Sequence, residues 1–161
     1  MELIINSKPF GIKVVFYDDQ FDGFIKSKNW TIVKRDEIFY AVSRIKENGV
    51  VKVKYLHTVL FKCPKGKIID HRDGNGLNNK SSNIRFVSES QNLMNRGAPL
   101  SNTTGFKGVH KRRDTGKFDV RISAHGIQYY GGCFDSLIEA AKRYNELAII
   151  HHGEFAKLNV I

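Results

Sequence analysis

The stretch that decides the fold is IDHRDGNGLNNKSSNIRFVSESQNLMNR, which runs from residue 69 to residue 96. An acid beside a histidine, Asp70 and His71, comes first. A turn rich in Gly and Asn follows, and then a short apolar run. Ser88 with Gln91 three residues later is a capping-box pattern, which predicts that a helix begins directly after Ser88. The predicted order is therefore strand, loop, strand and helix.

The loop brings Asp70 and His71 back toward Asn92, on the first turn of the predicted helix. An Asp carboxylate and an Asn carbonyl are hard oxygen ligands that Mg²⁺ accepts when waters and a substrate phosphate complete its shell. A histidine beside them can take a proton from water that attacks this phosphate. Because neighbouring residues of a strand point to opposite faces, Asp70 and His71 share one site only if the strand breaks there. The turn signal that begins at Asp73 favours such a break.

This segment resembles the HNH, or ββα-metal, nuclease motif in the variant found in small phage-type homing endonucleases. That variant has an Asp-His pair, a middle Asn and a final Asn. The resemblance implies one Mg²⁺ or Mn²⁺ per active site, with Asp70 and Asn92 as metal ligands. It implies His71 as the general base and Asn83 as the residue that braces the loop. His57 in YLHTVLF matches a histidine that often precedes the motif, with a structural role as the equal alternative.

Two nearby arginines, Arg72 and Arg85, are candidates for phosphate contacts, and a solvated surface role is the alternative for both. Each Asn or Asp of the segment, taken alone, also fits a polar turn or a helix cap. The spacing across the whole segment favours a nuclease over these separate explanations.

The composition points to a polyanionic partner. The chain has 161 residues, a formal net charge of +10 and a sequence pI of about 9.7, which favours nucleic acid or an anionic membrane. The chain lacks an apolar stretch approaching the roughly 20 residues of a membrane span, and MELIINSKPF lacks a signal-peptide order. Cys63 and Cys133 are spaced unlike a zinc ribbon or a disulfide framework. We therefore expect a cytoplasmic protein, nucleoid-associated in a bacterial host if a phage encodes it, without a membrane partner.

Residues 1–56 are predicted to be rich in β-structure. Strands are expected at Leu3–Ile5, Ile12–Tyr17, Trp30–Val33, Phe39–Ile45 and Val50–Tyr55, with KENG as the last turn. The last three form a meander that packs on the nuclease element and supplies core through Trp30, Phe39, Tyr40 and Val53.

The segment 97–104, GAPLSNTT, is the best linker candidate because it is small, polar and contains a proline. The predicted organisation is therefore a β-rich region with the nuclease domain over 1–96, whose HNH core is about 57–96. The linker 97–104 and a separate domain over 105–161 follow.

The C-terminal segment predicts three short strands and one helix. Turns at DTG and AHG separate the strands, and Ser136 with Glu139 opens an amphipathic helix that ends at HHG. From 101 to 121 there are six basic residues and two acids, whereas 122–161 has three basic and four acidic residues. The positive charge therefore belongs to the strands, and a sheet of this kind fits the major groove of B-DNA.

This segment resembles the plant-type APETALA2/ethylene-response-factor DNA-binding domain. The matching residues are FKGV at 106–109, GKF at 116–118, GGCF at 131–134, and SLIEAAKRYNELA followed by GEFAKLN. Phe118 and Tyr130 stand where that family usually has Trp, and His110 where it usually has Arg. By the resemblance the DNA-facing residues are Lys107, His110, Arg112, Lys117, Arg121 and Tyr130.

The sequence thus predicts an α+β protein with a β-rich segment, a ββα-metal HNH element, and a three-stranded antiparallel sheet packed on one helix. The predicted function is a site-specific homing-type endonuclease that cleaves double-stranded DNA without a small-molecule cofactor. A monomer on DNA is expected, with a dimer left open. The alternatives are a DNA-binding transcriptional regulator with an inactive HNH scaffold and, with less support, an RNA-binding module.

Overall fold

The computed structural model describes residues 1–161, apart from the side chain of Glu47. The chain divides into two compact units, Met1–Val87 and Ser88–Ile161. Both units combine small sheets with helices, so the α+β prediction is confirmed. The segment 97–104 belongs to the second unit, and its role as a linker between separate modules stays a prediction.

The first unit is dominated by short strands. Its elements are β1 (Glu2–Ser7), β2 (Gly11–Tyr17), α1 (Asp22–Lys26), β3 (Trp30–Arg35), β4 (Ile38–Glu47), β5 (Val50–Tyr55), α2 (Leu56–Leu60), β6 (Ile68–His71), β7 (Asn78–Asn79) and β8 (Ile84–Val87). Strands β3, β4 and β5 form the predicted antiparallel meander, and β6 pairs with β8. Strand β2 lies between β1, which is antiparallel to it, and β7, which is parallel.

The core of the first unit joins side chains from both three-stranded sheets and both helices. Trp30 and Phe39 pack against this core, as predicted. The fully buried members include Val15 and Ile25, each 0% exposed. The buried set is Ile5, Val15, Tyr17, Ile25, Ile32, Ala41, Leu56 and Leu77.

The prediction that Tyr40 and Val53 contribute to this core was wrong. Val53 pairs with Arg44 across the sheet and is 59% exposed. Tyr40 lies between the core residues Phe39 and Ala41, so the two-residue period of the strand turns its side chain to the other face.

The second unit has the predicted sheet backed by one helix. Its elements are α3 (Glu89–Asn95), β9 (Val109–Lys111), β10 (Phe118–Ala124), β11 (Ile127–Phe134) and α4 (Leu137–His152). The antiparallel sheet has the order β11-β10-β9, and α4 buries Tyr144 and Ala148 against Val120 and Ile122.

Both predicted helix starts are confirmed. Ser88 and Gln91 form the full capping box of α3, with both reciprocal hydrogen bonds present. Ser136 accepts a hydrogen bond from the Glu139 backbone N–H at 3.3 Å at the start of α4. Within the described chain, none of the helices is both long and apolar enough to traverse a bilayer.

Two glycines of the second unit provide a matched test of its packing. Gly108 and Gly116 both have positive φ, +71° and +72°. A Cβ at Gly108 would overlap the Tyr144 ring and lie 2.7 Å from the Arg121 carbonyl oxygen, whereas a Cβ at Gly116 meets open space. Both alanine variants carry left-handed strain of ~1–2 kcal/mol, and Gly108→Ala should cost a further ~1–3 kcal/mol from overpacking. Urea denaturation measures the difference, and equal losses of unfolding free energy would contradict this packing.

Candidate active site

The ribbon of β6 and β8 carries a buried ion pair. Asp70 and Arg85 are partners across the two strands, and Arg85 Nε donates a hydrogen bond to Asp70 Oδ2 at 2.7 Å. Each side chain is only 7% exposed. Because a buried charge without its partner is costly, the pair holds the Asp70 carboxylate in one orientation. Arg85, a predicted phosphate contact, is thus largely shielded from solvent.

His71 is the last residue of β6, and its side chain meets different neighbours. Its ring lies edge-on to His57, with the ring centroids 5.1 Å apart, and edge-on to Tyr40 at 6.1 Å. His57 also contacts Tyr40 and Tyr55, at 5.7 and 5.5 Å. The strand runs unbroken through Asp70 and His71, and the turn begins only after them. The predicted break of the strand between Asp70 and His71 is therefore wrong, and separate sets of partners hold the two adjacent side chains.

Tyr40 can lie beside His71 because Gly76 has no side chain. A Cβ at Gly76 would overlap the Tyr40 ring and lie 2.6 Å from the Phe39 carbonyl oxygen. Gly76 belongs to the loop between β6 and β8, so this glycine allows the loop to pack closely on β4. The sequence interpretation missed this role of Tyr40, since no local pattern links residues so far apart.

Asn83 closes the loop between β6 and β8. Its Nδ2 donates to Asp73 Oδ1 at 2.9 Å and to the Asn78 carbonyl oxygen at 2.8 Å, and its Oδ1 accepts the Asp73 N–H at 3.1 Å. Asp73 also accepts hydrogen bonds from the Asn75 N–H and the Asn78 side chain, both at 2.8 Å. One side-chain amide therefore ties the two limbs of the loop together beside His71. The Asp-x-Asn order at 73–75 is an Asx-turn signal that could have identified Asp73.

Asn79 is a further polar residue that the sequence interpretation did not select. It is 0% exposed, its Nδ2 donates to the Leu77 carbonyl oxygen at 3.1 Å, and β7 places it opposite Tyr17 of β2. Its side chain interacts with the His71 ring and favours the protonated form of that ring. The imidazole of His71 is therefore held between a fixed amide and the aromatic contacts of His57 and Tyr40.

Burial makes both imidazoles weak bases. Burial, with a smaller effect from the neighbouring His71, lowers the pKa of His57 to about 4. Burial also lowers the pKa of His71, although Asn79, Asp73 and Asp70 oppose this shift. Both rings are therefore neutral at neutral pH. A neutral imidazole in a fixed orientation is able to accept a proton from water.

The remaining predicted residues of the segment differ in their positions. The Arg72 side chain is exposed, and its backbone N–H donates to the Asn83 carbonyl oxygen at 2.9 Å. Asn92 lies on the first turn of α3, in the second compact unit. Among the described residues, no three His, Cys, Asp or Glu side chains cluster as a ready metal centre.

Three of the predicted DNA-facing residues lie on the open face of the C-terminal sheet. His110 pairs with Asp119, Arg121 pairs with Tyr130, and Val120 between them faces α4. Asp119 is 6% exposed and accepts hydrogen bonds from Tyr130 Oη at 3.2 Å and Arg121 Nη2 at 3.5 Å. This acid, which the sequence interpretation did not single out, therefore orients the side chains of the face.

Arg112 and Lys117 lie at the β9–β10 turn, and each has an acidic neighbour. Arg112 pairs with Asp114 at 2.7 Å and Lys117 pairs with Asp135 at 3.0 Å. Exposed ion pairs of this kind are worth little, so both cations are able to exchange a carboxylate for a phosphate.

Lys107 has a different environment. Its Nζ donates to the carbonyl oxygens of Met94 and Arg96, both at 2.6 Å, and of Leu93 at 3.2 Å. Burial, with smaller effects from Lys157 and Arg96, lowers the pKa of Lys107 to about 8. These carbonyls end helix α3, where the helix dipole favours a cation. Lys107 therefore caps a helix, and we do not retain it among the proposed DNA contacts.

A comparison with protein-family models identifies the same segment. A family model described as HNH endonuclease matches residues 55–94. Protein 3.8 of Escherichia phage T7 is 35% identical over 94 residues, which cover 58% of this chain and 77% of that protein. An uncharacterized HNH endonuclease of Acanthamoeba polyphaga mimivirus is 28% identical over 144 residues, which cover 86% of this chain and 74% of that protein. No solved structure matches the chain.

The pKa of His57 makes stability depend on pH. The pKa falls from 6.5 to about 4 on folding, so the unfolded chain binds more protons between these values. Stability is therefore full above the unfolded pKa and is lost as the pH falls toward the folded one, by at most roughly 3 kcal/mol from this residue. His57→Gln should remove this part of the pH dependence. Urea unfolding of both proteins at about pH 7.5 and about pH 5 measures it, and an unchanged pH dependence would contradict the assignment.

Proposed function

We propose that the chain, whose residues 55–94 match the HNH endonuclease family model, is a homing-type endonuclease that hydrolyses double-stranded DNA at chosen sites. The observation that carries this proposal is His71, a buried neutral imidazole inside the segment that matches the family. It ends a strand and lies beside a loop that Asn83 closes. The net charge of +10 supports a polyanionic substrate.

His71 is the proposed general base. As a neutral imidazole, it takes one proton from the water that attacks the scissile phosphorus. The new phosphorus–oxygen bond replaces the bond to the leaving 3′ oxygen, which takes up a proton from solvent. Contacts with His57, Tyr40 and Asn79 restrict the ring of His71, so the base does not have to be oriented during the reaction.

One divalent cation, Mg²⁺ or Mn²⁺, is the proposed cofactor. Asp70 offers the carboxylate oxygens that Mg²⁺ takes, and Mg²⁺ needs only one or two such ligands beside waters and phosphate oxygens. In the structure this carboxylate is paired with Arg85 and lies on the face of β6 opposite His71. Asn92 as the second ligand stays a prediction. When bound, the cation would neutralise charge on the phosphate and on the leaving oxygen. Arg85 has a positioning role in this proposal, since it holds the Asp70 carboxylate.

Asn83 is a proposed positioning residue that acts through the loop. Its hydrogen bonds to Asp73 and Asn78 fix the backbone next to His71, and such supporting contacts are typical of residues outside the reacting atoms. Arg72 follows His71 directly and is exposed, so we propose it as a phosphate contact.

The C-terminal sheet is the proposed site-selecting surface. A sheet with one face on α4 and cations on the open face supports binding in the major groove, in the manner of the APETALA2-like domains that it resembles in sequence. His110, Arg121 and Tyr130 would reach the bases from the face itself. Arg112 and Lys117 would contact phosphates from the turn beside it.

The alternative is a DNA-binding regulator in which the HNH element is an inactive scaffold. A search for cleavage separates the two functions. Purified protein would be incubated with a randomised duplex DNA library and Mg²⁺ or Mn²⁺, and the cut ends would be sequenced. Ends that cluster at one motif support the endonuclease and show whether one or both strands are cut. Specific retention of library members without cut ends would favour the regulator.

His71→Ala should abolish cleavage and leave DNA binding nearly unchanged. Loss of a general base typically costs on the order of 10²–10⁴ in rate, whereas affinity for the selected site should stay within about threefold. Single-turnover cleavage and titration of the same duplex measure the two quantities. An equal loss of both would indicate a folding defect and would contradict the proposed role.

Removal of divalent metal should stop cleavage by the wild-type protein. EDTA should suppress the appearance of cut ends, and added Mg²⁺ or Mn²⁺ should restore them, since the cation stabilises charge on the phosphate. Asp70→Asn should raise the metal concentration required for half-maximal cleavage. Cleavage that persists in EDTA would overturn the metal proposal and leave the role of His71 unaffected.

A further inference from the structure

The meander of β3, β4 and β5 has a second face that the core does not use. The register pairs Tyr40 with Val33, Arg44 with Val53, and Lys46 with Val51. Residues paired across two strands share a face of the sheet, and side chains along one strand alternate between the two faces. These side chains therefore lie on the face opposite to the one that carries Phe39 and Ala41. The unused face therefore runs along β4 from Tyr40 to Lys46.

Part of this open face lines a shallow apolar groove. Its volume is about 640 Å³. Val42 forms a buried part of the lining, whereas Val53 in the lining is 59% exposed and Val51, on the same face but outside the groove, is 60% exposed. The lining includes Lys28, Val33, Val42, Arg44 and Val53.

Cations are placed along the same face. Arg44 and Lys46 are exposed on β4, and Arg35 is exposed at the opposite end of the face. The strand positions on this face include no acidic residue among those that the structure describes. A polyanion therefore complements the face better than a neutral or basic partner does.

The face is continuous with the active site of the first unit. Tyr40, at one end of it, is the residue whose ring touches both His71 and His57. At ~3.3 Å per residue, Arg44 lies roughly 13 Å and Lys46 roughly 20 Å along β4 from Tyr40. Phosphates of one DNA strand are ~3.4 Å apart along the duplex axis, so these distances correspond to about four and six nucleotides.

We propose that this open face is a second DNA-binding surface, which holds the duplex on one side of the cut. Arg44 and Lys46 contact backbone phosphates about four and six nucleotides from the scissile bond, and the exposed valines pack against deoxyribose. The distances from the scissile bond rest on the proposed function, but binding to this surface is testable without cleavage.

The test compares two double variants in the cleavage-deficient His71→Ala protein. Arg44→Gln with Lys46→Gln removes two charges from the open face. Lys52→Gln with Lys8→Gln removes two exposed charges elsewhere, and Lys52 lies on the same hairpin but pairs with Ile45 on the other face. Thermal unfolding of both proteins verifies that they are folded. Titration with a duplex at several salt concentrations then gives affinity and its salt dependence.

The proposal predicts that only the first pair weakens binding, by about tenfold, and lowers the log-log salt slope by about 1.8, because each phosphate contact contributes ~0.9. Neutral methylphosphonates in the duplex, about four and six nucleotides from the cut, should weaken DNA binding by the protein with Arg44 and Lys46 intact but not by the Arg44→Gln, Lys46→Gln variant.

Equal effects of the two pairs of substitutions on DNA binding would overturn the proposal. An unchanged salt slope for the first pair would also overturn it. If the wild type cuts no DNA, the proposed function fails while the affinity comparison still decides this inference.

Discussion

The two-residue period of strand β6 is the constraint on which the candidate site depends. Asp70 and His71 are adjacent, and an unbroken strand sends adjacent side chains to opposite faces. Each face then supplies its own support. Arg85 across the ribbon fixes the carboxylate, whereas His57 and Tyr40 enclose the imidazole. The Asp70 carboxylate and the neutral His71 imidazole therefore lie in separate surroundings, although the two residues are adjacent in the sequence.

The local elements of the chain could be predicted because their signals are local. The capping box at Ser88 and Gln91, the strands of the meander and the sheet backed by α4 all follow from patterns within a few residues. Tertiary contacts could not be predicted in this way. Tyr40 was assigned to the core because its aromatic character was visible but its face was not. The register with β3 and β5 decides that face, and no property of Tyr40 itself encodes it.

The same limit explains the site residues that sequence reasoning missed. Asn79 has the composition of any loop residue, and only its burial beside His71 distinguishes it. Lys107 is the opposite case. Its basic character in a basic segment predicted a DNA contact, whereas its ammonium group donates hydrogen bonds to the carbonyl oxygens that end α3. Residue type indicated the chemistry available to each position, whereas burial and hydrogen-bond partners decided how that chemistry is used.

Strand β7 is only two residues long, yet its parallel pairing joins Phe16 and Tyr17 near the start of the chain to Asn78 and Asn79 in the loop beside His71. Contacts between such distant segments raise the contact order and close late in folding, after local hairpins have formed. During synthesis β2 emerges first and remains without this partner until some sixty further residues have been added. The loop beside His71 is therefore completed only when the N-terminal sheet is already present. The order of the loop beside His71 thus depends on contacts with the other end of the first unit.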